Sequence, residues 1–291
     1  TSARRVSRRA LVPPWGDGPQ GQGGPMTGWT LRLRQPPALR VDLRGVTPAA
    51  LAGADVERVC VAHANAMVPL AEFFAVSARS DTALVLEGDL RRFDRVGWQM
   101  DGGVLIVDGS AGDYAGAGLR GGELRVCGNV GALAACEMTG GHLVIEGDVG
   151  NFAAAALPGS MDGMRGGTLI VKGSAGERFG DRMRRGTAVV FGDAGDFLAS
   201  RLVAGTIALG GRCGAHPGYG MRRGSVVFAG PWPVVPPTFA ASRAPVSVFW
   251  QLLARDLAQH GGVFATLPAR RIERALGDLA ADGKGELIAV L

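Results

Sequence analysis

One feature constrains this chain above all others: its glycines keep a register. Gly103, Gly122 and Gly141 stand 19 residues apart, and Gly167, Gly186, Gly205 and Gly224 do so again. The single gap of 26 is one period plus a seven-residue insertion near ALPGSMDGM (156–164). Each unit reads GG-x-L-x-V-x-G-x-x-G, as in GGVLIVDGSAG, GGELRVCGNVG, GGHLVIEGDVG and GGTLIVKGSAG. A degenerate unit, TALVLEGDL, precedes them. A fixed period of this length marks a repeat architecture.

The period selects the fold. Every unit carries one short run with alternate apolar residues: Leu105/Val107, Leu124/Val126, Leu143/Ile145, Leu169/Val171 and Ile207/Leu209. That is strand periodicity, with glycine where the chain must turn with positive φ or pass close to a neighbour. Nineteen residues are too few for a helical-pair repeat and enough for one coil of a solenoid. The expected fold is all-β: a right-handed parallel β-helix of about 19 residues per coil, with coils about 4.8 Å apart. An N-terminal cap and C-terminal helices complete the expectation.

The flanks set the expected boundaries. Residues 1–28 form a basic Gly/Pro-rich extension containing Arg4, Arg5, Arg8 and Arg9, read as flexible. Residues 29–80 are a capping region in which Leu31, Leu33, Leu39, Val41 and Leu43 pair as strands. Thr47 then caps a short helix with Pro48 at its first position. Residues 81–230 are the β-helix. Residues 231–291 are an extended and helical segment, with one amphipathic helix over Val246–His260, expected to carry Val248, Leu252 and Leu253 on its apolar side, and a shorter one over 268–282.

Stacking the units exposes columns. Met100, Leu119, Met138, Met164, Met183, Leu202 and Met221 precede the glycines, and such a stripe reads as core. Tyr114, Leu133, Phe152, Phe197 and His216, with Phe93, read as a ladder of large side chains inside the coil. The middle residue of each run should point outward, yet it reads Val85, Ile106, Arg125, Val144, Ile170, Val189, Ala208, Val227. An outward face this apolar is expected to be covered, by the C-terminal helix or by another protein, with Ile106, Val144, Ile170, Val189 and Val227 facing a partner. Arg165, Arg184, Arg185, Arg222 and Arg223 line up along one corner, either a solvated face or a contact for a polyanion such as polyglutamate.

Chemistry of the chain's own is not apparent. No nucleophile elbow, P-loop or HExxH motif occurs, and the four histidines (His63, His142, His216, His260) are scattered. Asp148 and Asp193 follow glycine and read as turn formers. Cys60, Cys127, Cys136 and Cys213 form no CxxC pair, and Cys213-Gly-Ala-His216 has no second half that would make a metal site. No catalytic residue and no metal ligand is expected, and the thiols suit a reducing cytoplasm. The net charge of +5 permits an anionic partner without demanding one. No long apolar run suggests a membrane span, and no nucleic-acid partner is expected.

The run from Asp81 to Gly230, with GGHLVIEGDVG, GMRGGTLIVKGSAGERFGDRMRRG and AGPWPVVPPTF, resembles the C-subunit family of formylmethanofuran dehydrogenase. It looks most like the bacterial branch, the C subunit of the formyltransferase/hydrolase complex, which the Arg-rich composition also favours. GVTPAALAGADVERVCVAHANAMVPLAEFFAVS (45–77) and LLARDLAQHG…RALGDLAADGKGEL (252–287) agree, so the resemblance covers about residues 29–291. It implies a right-handed β-helix and a non-catalytic, structural role. The implied partners are an amidohydrolase-like A subunit, a B subunit and a formyltransferase D subunit. That complex moves a formyl group from a tetrahydromethanopterin carrier to a methanofuran analogue and hydrolyses it to formate, in formaldehyde oxidation. The methanofuran analogue and a metal centre are expected in the partner subunits, and no cofactor in this chain. The glutamate-rich tail of such a carrier supplies an implied occupant for the arginine ridge. The C subunit of a molybdenum or tungsten formylmethanofuran dehydrogenase, and a β-helix domain of the glutamate synthase type, are the alternative readings.

Overall fold

The computed structural model describes residues 28–242 and 247–291. The predicted extension therefore lies outside the described residues except for Gly28, as does Val246 at the predicted start of a helix. The chain is mostly sheet. At its N-terminal end are β1 (Gly28–Leu33), β2 (Val41–Asp42), α1 (Pro48–Leu51), β3 (Cys60–His63), β4 (Ala66–Pro69), α2 (Leu70–Phe73) and β5 (Phe74–Arg79). The repeat units give β6 (Leu84–Glu87), β7 (Phe93–Asp94), β8 (Val104–Asp108), β9 (Glu123–Val126), β10 (His142–Ile145), β11 (Arg165–Val171), β12 (Arg185–Val190), β13 (Thr206–Leu209) and β14 (Ser225–Phe228). Then come β15 (Ala240–Ser242), α3 (Ser247–Ala258), β16 (Ile272–Gly277) and β17 (Gly285–Val290).

The glycine register becomes a strand register. In the 13-stranded sheet the order is β15-β16-β17-β14-β13-β12-β11-β10-β9-β8-β6-β1-β5, and every neighbouring pair from β1 through β17 is parallel. Leu84, Leu105, Leu124, Leu143, Leu169, Ala188, Ile207, Val226 and Leu287 make one continuous column. All are buried, as are their partners two residues on from Val107 to Leu209. The insertion leaves this pairing intact: Leu143 still meets Leu169. A second set of parallel bridges runs Leu90, Ala111, Val130, Val149, Ala175, Ala194, Cys213. Gly141 shows what the glycines do. Its φ is +75°, and a Cβ there would lie 2.7 Å from the Gly122 carbonyl oxygen. Each unit's backbone rests directly on the one before.

The corners are held by side chains in the same register. The Ser110 hydroxyl accepts the Asn129 N–H at 3.1 Å, and the Asn129 side chain accepts that of Asp148 at 2.9 Å. Asp148 accepts from Ser174 at 2.7 Å, Ser174 from Asp193 at 3.1 Å, and Asp193 from Arg212 at 2.7 Å. Asp148 and Asp193 thus make turns, as read from sequence. The methionine stripe is core throughout, from Met100 to Met221.

Three expectations are corrected. The strand pair within residues 29–43 does not form: β1 joins the large sheet between β5 and β6, and β2 pairs with β3 and β7 in a separate four-stranded sheet. Thr47 does cap α1, its hydroxyl accepting the Ala50 N–H at 3.3 Å.

The predicted C-terminal helices reduce to one, α3, because 268–282 holds β16 and short 3₁₀ turns instead. Its Ala, Arg, Glu and Leu residues favour helix, but the ladder overrides that preference. β17 pairs in parallel with the free edge of β14, and β16 pairs antiparallel with β17 and β15. Both ends of the parallel stack therefore finish in antiparallel strands, which limits further strand addition.

The large-residue ladder is outside. Tyr114, Leu133, Phe152, Phe197 and His216 have φ between 58° and 63°, and Phe152 and His216 are exposed. At such a left-handed corner the following residue takes the interior place, so Ala115, Ala134, Ala153 and Leu198 are buried instead. Phe93 is buried but out of register; Arg95, 19 residues before Tyr114, shares its conformation. The result is an external stack. The Arg95 guanidinium lies 4.8 Å from the Tyr114 ring, Arg178 lies 4.5 Å from Phe197, and Phe197 stacks on His216 at 5.1 Å.

Candidate functional site

Two surface features gather the residues singled out by sequence. The first is an arginine groove of about 530 Å³, lined by Arg165, Arg184, Arg185, Arg222 and Arg223 with Val203 and Ala204 between. The register builds it. Arg165 and Arg185 pair at the starts of β11 and β12. Val203-Ala204 and Arg222-Arg223 follow at steps of 19 residues. Two arginine pairs thus stand two strands apart, about 10 Å, across a floor of small side chains. All five arginines are exposed. Arg184 is paired with Asp162 at 2.5 Å and Arg165 loosely with Glu137 at 3.9 Å. Among the described residues, Arg185, Arg222 and Arg223 make no ion pair. Planar, permanently charged groups at this spacing suit carboxylates or phosphates strung along one chain.

The second feature is the outward apolar column, and it divides in two. Val189, Ala208 and Val227 are completely buried beneath Trp250, Ala254 and Leu257 of α3 and beneath Phe264 and Leu267 of the turns that follow. Val189 and Val227, expected to face a partner, are covered by the chain itself. Ile106, Val144 and Ile170 have no such cover and are half-buried. Arg125 stands between Ile106 and Val144 and is paired with Glu146 at 2.5 Å. A cavity of about 320 Å³ opens where the covering layer stops, with Val144 and Ile170 among its lining. His260 is on its rim. Burial pushes this imidazole below its ordinary value of 6.5; Asp256 opposes the shift, while Lys172 and His142 add to it.

Other candidates separate. Cys213 and His216 do not form a half-site: burial pushes the Cys213 thiol up to about 12, while His216 stacks on Phe197 at the surface. Among the described residues, no group of three or more His, Cys, Asp or Glu is placed to hold a metal ion. No helix among them is long and apolar enough to cross a membrane. The apolar side of α3 is corrected: Val248 and Leu252 are exposed, Leu253 is partly buried, and Trp250, Ala254 and Leu257 face the sheet, because apolar residues surround the first turns of this helix and do not mark one stripe. Sequence reasoning also missed Phe264 and Leu267, because nothing local announces which strand a distant segment will cover. It read Asp148 and Asp193 as turn formers but missed that they stack with Ser110, Asn129 and Ser174 in one corner ladder, which the 19-residue register does display.

No known family model matches the chain. The C subunit of the formyltransferase/hydrolase complex of Methylorubrum extorquens is 42% identical over 86 residues, covering 28% of this chain and 32% of that protein. The C subunit of a tungsten-containing formylmethanofuran dehydrogenase from Methanothermobacter wolfeii is 31% identical over 96 residues, covering 30% and 36%. These sequence matches span about a third of the length of the curated relatives. The structural likeness is longer. A chain in the crystal structure of the Methylorubrum extorquens formyltransferase/hydrolase complex with methylofuran superposes with a TM-score of 0.82 at 39% identity. That match covers 89% of this chain and 98% of the solved one.

Proposed function

The chain belongs to the C-subunit family of the formyltransferase/hydrolase complex and its formylmethanofuran dehydrogenase relatives, and from that premise we propose that it is a non-catalytic structural subunit of such a complex. The observation that carries this reading is 39% identity across 98% of a chain from the solved complex. The higher identity to the bacterial protein, 42% against 31%, favours the formyltransferase/hydrolase type over the tungsten dehydrogenase. The reaction served is transfer of a formyl group from a tetrahydromethanopterin carrier to a methanofuran analogue, then hydrolysis to formate. The amidohydrolase-like A subunit, the B subunit and the formyltransferase D subunit are the partners, and the carrier and metal centre belong to them. The stacked parallel strands are a right-handed β-helix over residues 81–230, extended at one end by β1 and at the other by β17. A stack of this kind is a rigid spine, suited to holding other subunits at fixed separation.

The arginine groove is proposed to guide the anionic tail of the carrier. Two pairs of guanidinium groups across a low floor match a chain of carboxylates, and three of the five arginines lack an internal partner among the described residues. Purification of the native assembly by a tag on this chain tests the first claim. Stoichiometric recovery of the other subunits with formate production is expected; a lone monomer, or one with its own activity, refutes it. Charge reversal at Arg184 and Arg222 tests the second. Formate production at low salt should slow while the complex stays intact, and an unchanged rate removes the groove from the mechanism.

A further inference from the structure

The same apolar column is sealed over β12 to β14 and open over β8 to β11, and the seal shows what this face accepts. α3 lies on it with Trp250, Ala254 and Leu257, at i, i+4 and i+7, turned to the sheet. The layer then stops in the middle of the sheet, not at its edge. Past the strands that α3 covers, the column continues as Ile170, Val144, Arg125 and Ile106 on four neighbouring strands. Four strands present about 14 Å of sheet, and a helix with its side chains is about 10–12 Å across. The uncovered space fits one more helix.

Charge specifies that helix further. The step cavity has Glu123 and His142 on the strand side and Asp256, Gln259 and His260 on the side of α3. Its nearby cations are engaged: Arg125 with Glu146, and Lys172 over the Phe191 ring at 3.9 Å. Glu123 and Asp256 make no ion pair among the described residues. The buried Nδ1 of His260 has no hydrogen-bond partner. A desolvating partner would leave two carboxylates uncompensated unless it brought a cation.

We propose that the open half of this face seats an amphipathic helix from another subunit, laid beside α3 as the next member of its layer, with a Lys or Arg side chain entering the notch between Glu123 and Asp256. The inference rests on the reading of the chain as part of a complex. It is tested on the intact complex with a photo-crosslinking residue at position 170 and, separately, with the double substitution Glu123→Lys/Asp256→Lys. Position 170 should link to a helix of a different subunit, within a turn or so of a basic residue. The double variant should be retained in the complex about tenfold less at low salt, with the melting temperature of the chain alone unchanged. A complex that contains the chain but gives no link from position 170, or a link to a second copy or to a non-helical segment, overturns the docking inference alone. Retention of the double variant at the wild-type level overturns the charge match. Failure of the unmodified chain to join any complex overturns both this inference and the function it rests on.

Discussion

Val189 and Val144 occupy the same place in their units, one strand apart from Ile170 on either side, yet one is completely buried and the other half-exposed. Strand pattern does not distinguish them. Both belong to apolar runs, both pair in parallel with neighbours on each side, and both point away from the inner column. The difference comes from residues 247–267, which return to cover one half of the face and stop. The inner column is thus fixed by the repeat, while the fate of the outer face is decided by what the rest of the chain, or another chain, lays on it. An apolar outward face on a parallel sheet is a demand for a cover, and here the chain meets half of it.

The two halves share one backbone, so the largest effect should come from the register they have in common. Gly141→Val places a branched side chain at φ +75°, with its Cβ 2.7 Å from the Gly122 oxygen. A cost of at least about 3 kcal/mol is expected, with loss of folded chain by circular dichroism although Gly141 lies in the open half. A folded Gly141→Val chain would break the account of stacking. Trp250→Ala should cost about 3–5 kcal/mol in denaturant unfolding. Hydrogen exchange should quicken over β12–β14 and stay slow over β8–β10; uniform quickening would mean the two halves are not separable. Leu252→Ala, on the exposed side of α3, should stay within about 0.5 kcal/mol by the same unfolding measurement.

The smallest effect is electrostatic and marks the boundary itself. Burial lowers the protonation of His260 from its ordinary value of 6.5, so in that region the unfolded chain binds the proton more readily than the folded one. The stabilisation is complete above about pH 6.5 and is lost as pH falls below it. Melting temperature should therefore drop more steeply between about pH 7 and pH 5 for the wild type than for His260→Gln. Parallel curves would place the imidazole in water.

Much of this was legible because the period is local information. Leu105, Leu124, Leu143 and Leu169 announce an inner column at 19-residue steps, and Met138 and Met183 lie in the core where the stripe put them. The failures have physical causes. Alternation assumes extended backbone, and Phe197 and His216 sit at left-handed corners where that rule does not hold. Residues 272–277 carry helix-favouring side chains, but a free parallel edge at β14 recruits β17 and, through it, β16. The arginine column was visible in sequence; that Val203 and Ala204 make it a groove follows from the same register. Which strands α3 would cover was not visible, because that contact joins residues far apart in the chain with no periodic signature.

The most direct test substitutes aspartate at the two equivalent sites and measures unfolding of the chain alone, then recovery of the chain in the assembled complex. Val189→Asp buries an unpaired charge beneath α3 and should cost at least about 3 kcal/mol in the isolated chain. Val144→Asp should cost less than about 1 kcal/mol there and instead reduce incorporation into the complex. Equal destabilisation of the isolated chain by the two, or full incorporation of Val144→Asp, would contradict the division of this face into a half the chain covers and a half its partner does.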